Sequence, residues 1–153
     1  MIRKFRELSI TSQNLSNRTL LVQVRNLLLA PIIYAMFIPL LFLDICVFLY
    51  QHIYFRLIGI SIVPRKTYFV IDRHRLSYLN GVQKINCVYC GYANGLASYT
   101  KEIIARTEEY WCPIKHAAPI QDPHSKYDSF LEYGASEDFQ KHVERVDHLI
   151  GKR

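Results

Sequence analysis

Cys87, Cys90, Cys112 and His116 are the residues of this chain whose types and spacing suit chemistry. Two residues separate the first pair, 21 separate Cys90 from Cys112, and three separate Cys112 from His116. A C-x2-C pair lets two thiolates approach one ion, and Gly91 directly after it suits the turn of a metal knuckle. Pro113 suits the first position of a helix, which puts Cys112 at an N-cap, where the helix dipole favours a thiolate. His116 would then fall on the same helical face as Cys112. The pattern predicts a four-ligand site of the treble-clef-like kind. Three sulfurs and one nitrogen suit structural zinc, with iron or a [2Fe–2S] cluster as the alternative. Glu109 is a candidate to orient the His116 ring by accepting a hydrogen bond from it.

No catalytic residue is assigned. The sequence shows no Ser-His-Asp set, no phosphate loop and no H-E-x-x-H. Glu102 and Glu108 read as a solvated helix face and His74 as a surface residue, while His124, His142 and His148 stand isolated in the tail. Cys46 lies inside an apolar run and reads as a small hydrophobe. Cysteines this few and this clustered do not make a secreted disulfide scaffold.

The elements that must position the site follow from the charge and the hydrophobic pattern. Residues 1–84 hold 11 Lys/Arg against 3 Asp/Glu, and residues 85–153 hold 8 against 10. The basic excess lies in the half with the apolar run, which fits anionic lipid headgroups better than nucleic acid. Residues 1–26 are basic, with Leu8, Leu15, Val22 and Leu29 spaced by sevens, which reads either as a thin helical stripe suited to a membrane surface or as a frayed amino-terminal tail. Residues 27–63 form the membrane segment. Its run from Leu27 to Tyr50 carries one charge, Asp44, and as a helix reaches roughly 36 Å, enough for a bilayer core. Pro39 must kink or break that helix. Basic residues on both flanks leave two topologies open: one kinked span, or a shallow hairpin bent at Pro39.

Residues 64–118 form the expected metal-binding domain. Thr67–Ile71 reads as a short strand, Asp72–Arg75 as a charged turn, Asn94-Gly95 as a turn signal, and residues 96–111 as a helix. Residues 119–153 read as a loop followed by an amphipathic helix capped by Ser136, with Phe139, Val143, Val146 and Ile150 on one face. The fold class is thus mainly α: a membrane helix followed by a small α-rich metal-knuckle domain.

The segment DRHRLSYLN…NCVYCGYANG…RTEEYWCPIKHA, with the apolar run before it, resembles a group of small bacterial membrane proteins over about residues 27–118. The resemblance implies an anchored domain and a shared site at Cys87, Cys90, Cys112 and His116, and it brings no activity. The NEET proteins also end their motif in C-x3-H, but their first pair is C-x-C and their identity is not carried over. The expectation is therefore a membrane-anchored metal-binding protein, a non-enzymatic accessory or assembly subunit of a membrane complex. It would sit in the cell inner membrane with its metal domain facing the cytoplasm. A redox protein using iron or the Cys87/Cys90 thiols is the alternative, and a membrane metalloenzyme the third reading.

Overall fold

Asn80 starts a helix of 31 residues. Its side chain accepts from the Gln83 backbone N–H and the Gln83 side chain accepts in return from the Asn80 N–H, both at 2.9 Å. This reciprocal box satisfies two donors that a helix start leaves unpaired. The structure, a computed structural model, describes residues 20–151. It is mainly helical: α1 (Leu20–Ala35), α2 (Phe37–Tyr50), α3 (Gly81–Trp111) and α4 (Ser136–Ile150), joined by short helical turns. The basic stripe expected over residues 1–26 lies for the most part outside the described residues.

The chain divides into two compact units, Met1–Pro39 and Leu40–Arg153. In the first, α1 carries Pro31 inside it and ends at Ala35. Pro39 lacks the N–H that would bond the Ala35 carbonyl, and its ring crowds that carbonyl. The helical course is accordingly interrupted at Met36. The run Leu27–Ile58 is long and apolar enough to cross a membrane, and only 11 % of its most apolar window is buried by the rest of the chain. A core helix of that composition would be covered.

In the second unit α2 passes into a π-helical turn at Gln51–Phe55, then one α turn at Arg56–Ile58. Gly59 ends it in the left-handed region, φ 80°, with the N–H groups of Gly59 and Ile60 both bonded to the Phe55 carbonyl. Phe55, Val63, Leu96, Tyr99 and Ile103 form the buried centre, joined by Val47. The core is thus built between the end of the apolar helix, the segment after it and the middle of α3.

Three sequence expectations are corrected here. Thr67–Ile71 is not a strand: a 3-10 turn at Arg65–Thr67 runs into chain without regular secondary structure, and among the described residues only one isolated bridge, Ile114 with Leu131, has strand-like pairing. Its β-branched and aromatic side chains have no partner strand, and its backbone packs on α3 instead. Asn94-Gly95 is not a turn but lies within α3. A Cβ on Gly95 would stand 2.8 Å from the Tyr68 carbonyl oxygen, and one on Gly91 would stand 3.4 Å from that of Val70. The two glycines, four apart on one helical face, therefore admit a neighbouring backbone rather than reverse the chain. Lastly, Ser136 is not the cap of α4 but its first residue: Ala135 occupies the cap position and no side chain caps it.

Candidate functional site

The four predicted metal ligands are not brought together. Cys87 and Cys90 lie in consecutive turns of α3, not in a knuckle, and Cys112 is the residue at its C-terminal end, not the start of a helix. At 1.5 Å per residue, an unbroken helix from Cys90 to Cys112 separates them by roughly 33 Å. Pro113 stops α3 because the residue before a proline avoids the helical region, and Cys112 takes φ −149°, ψ 65°. The chain beyond is not helical. Ile114 pairs with Leu131, and the Lys115 N–H donates to the Leu131 carbonyl at 2.8 Å. His116 therefore shares no helical face with Cys112. Its backbone N–H donates to the Tyr127 hydroxyl at 2.9 Å, and its ring stacks on Tyr127. Among the described residues no group of three or more His, Cys, Asp and Glu is placed to hold a metal ion, and all four cysteines are free.

Glu109 does not orient His116 either. It pairs with Lys126 at 3.0 Å, one of three contacts by which the acidic side of α3 holds the following loop. Glu102 accepts from Arg106 at 2.9 Å and from Ser125 at 2.8 Å, and Glu108 lies 3.0 Å from His124. Glu102 and Glu108, expected as a merely solvated face, thus help to fasten His124 and Ser125. A shallow pocket lined by Tyr68, Lys101, Glu102, Asp122 and His124 lies at this seam. Burial pushes the Glu102 carboxyl up, but the bonds from Arg106 and Ser125 outweigh it, and the group sits below its usual value.

The polar centre that the structure does assemble is at Asp44. This lone carboxylate of the apolar run is buried, and Arg65 grips it with both guanidinium nitrogens, one at 2.6 Å. Tyr92 of α3 donates its hydroxyl to the same carboxylate at 2.8 Å. The Arg65 guanidinium also lies 4.0 Å over the centre of the Phe69 ring, a cation–π contact. The bond to Asp44 raises the Arg65 pKa above its ordinary value. Burial first, and then the bond to Asp44, pushes the Tyr92 phenol up to about 12. One turn beyond Val47, Gln51 is buried: its amide donates to the Tyr99 hydroxyl and its oxygen accepts from the Val63 N–H at 2.9 Å. The π-helical turn begins at this residue, and π turns often mark places where a helix is adapted to a specific contact.

This arrangement holds together α2, the segment 63–69 and α3. Chemically it neutralises a charge that an apolar helix cannot leave alone. The cost of Asp44 was readable in the sequence, and a lone acid in such a run requires a cation. Arg65, read only as a flanking positive charge, is that cation. No family model matches the chain, and neither a curated protein nor a solved structure matches it.

Proposed function

We propose that this is a membrane-anchored, non-enzymatic accessory protein. In this reading the apolar run Leu27–Ile58 enters the lipid bilayer, and an α-helical domain is built against one side of its second half, through Asp44, Arg65 and Tyr92 and the buried Val47 and Phe55. One observation carries it: an apolar helix left almost uncovered by its own chain, whose single carboxylate is satisfied by a cation and a phenol from the domain. Lipid is the solvent in which the first fact costs nothing and the second is required. The accessory role draws support from the use of the polar side chains. Glu102, Glu108 and Glu109 fasten one segment to another, as Asp44 and Arg65 do.

Placement of the domain on the cytoplasmic side draws support from four unpaired cysteines, which a reducing compartment preserves. Cys87 and Cys90 supply at most two of the four ligands of a structural zinc site, so no metal role is assigned to Cys112 or His116. The test is alkaline carbonate extraction followed by flotation. The chain is expected to float with the membrane fraction, and release into the soluble fraction would remove the reading.

A further inference from the structure

The apolar stripe of α3 runs further than the core that covers it. Ile85, Val88, Tyr92, Leu96, Tyr99 and Ile103 follow one another at spacings of three and four, one helical face. Leu96, Tyr99 and Ile103 are buried, but Val88 is 39 % exposed, Ile85 60 %, and Val82 one turn earlier 66 %. The direction of the stripe is fixed at Tyr92, whose hydroxyl reaches Asp44 in the apolar helix. The uncovered turns therefore continue the face by which α3 meets its own anchor. The charge beside them has one sign. Segment 65–84 holds Arg65, Lys66, Arg73, Arg75 and Lys84 against the single acid Asp72. Arg65 is taken by Asp44, while Arg73 and Arg75 are exposed on a 3-10 turn that packs against α3.

We propose that the first two turns of α3 and the turn Arg73–Arg75 form a second membrane contact, lying on an anionic bilayer surface. Val82, Ile85 and Val88 enter the boundary between headgroups and acyl chains, and Arg73, Arg75 and Lys84 meet lipid phosphates. Apolar side chains rimmed by cations are what such a surface selects. A bilayer is favoured over a protein partner because the same face already leads to the apolar helix and because the charge complements anionic lipid. The proposal rests on the anchored reading of Leu27–Ile58.

The full chain carries one tryptophan, Trp111, so Trp111→Phe gives a silent background. Ile85→Trp in that background, reconstituted in phosphatidylcholine vesicles containing phosphatidylglycerol, reports contact through quenching by brominated lipid. Phe42→Trp, in the exposed flank of α2, reports the anchor separately. Both positions are expected to be quenched, and Arg73→Glu with Arg75→Glu is expected to remove most of the quenching at position 85 while leaving position 42 unchanged. Position 85 unquenched beside a quenched position 42 overturns the proposal and leaves the anchor standing. Position 42 unquenched overturns both. Quenching at position 85 that survives the charge reversal, or is equal in purely zwitterionic vesicles, overturns the anionic-lipid assignment. Val82→Trp repeats the measurement should Ile85→Trp not fold.

Discussion

Gly95 passes beneath the backbone of Tyr68 so closely that a Cβ at position 95 would stand 2.8 Å from the Tyr68 carbonyl oxygen and 3.2 Å from the Phe69 Cα. Neither neighbour is a flexible side-chain end, so neither can move aside cheaply. Gly95→Ala should therefore destabilise the helical domain by about 1–3 kcal/mol, the range for overpacking a close contact, despite the better helix propensity of alanine. Gly91→Ala meets its nearest atom at 3.4 Å, ordinary contact, and should be close to neutral. Denaturant unfolding of the two variants beside the parent separates them.

Removing one partner of the Asp44–Arg65 pair should cost more than removing both. Arg65→Ala leaves a buried carboxylate with only Tyr92 as donor. The loss should fall below the about 3–5 kcal/mol of a fully buried pair, because the Arg65 side chain is 38 % exposed. Asp44→Leu with Arg65→Leu should recover most of it. A double-mutant cycle on thermal unfolding measures the coupling, and additive single losses would mean that the pair is incidental.

How much of this was legible in the residues depends on the range of the force involved. The apolar run, its proline interruption and the tail helix all follow from local pattern, and each stands in the structure. The cysteine region misled because each of its signals has a second physical use. Gly91 and Gly95 suit a turn, but they equally let a backbone pack against a helix. Pro113 suits a helix start, yet here it ends one. The asparagine-to-glutamine box at Asn80 and Gln83 was visible and would have started the helix in its observed place. What no local pattern could supply was the partner of Asp44, since Arg65 lies 21 residues away and only tertiary folding brings it there.

Acid should loosen the seam between α3 and the following loop. The Glu102 carboxyl sits below its usual value of 4.5 because Arg106 and Ser125 hold its charged form against burial. A carboxyl depressed by folding stabilises fully above its unfolded value, and the contribution fades as pH falls through the lowered folded value. Stability should therefore decline as pH falls below about the usual carboxylate range. Glu102→Gln should show a shallower decline there, and an unchanged slope would remove Glu102 from the account.

The thiols and the histidine that looked like ligands should behave independently. Cys112→Ser and His116→Ala change partly or fully exposed groups that share no site, and each should alter stability by about 0.5 kcal/mol or less. Elemental analysis of the purified chain and of these variants checks the same point from the other side. Metal content that is stoichiometric in the parent and lost in Cys112→Ser would restore the four-ligand site.

The most direct measurement of the anchored reading uses a native residue. Cys46 lies in α2 and is left exposed by the rest of the chain, as Cys112 is at the end of α3. Only lipid can then protect it. In vesicles with a water-soluble maleimide present on both faces, Cys112 should label readily while Cys46 stays unreacted until the protein is denatured in detergent. Labelling of Cys46 at the rate of Cys112 would place the apolar helix in water and contradict the account.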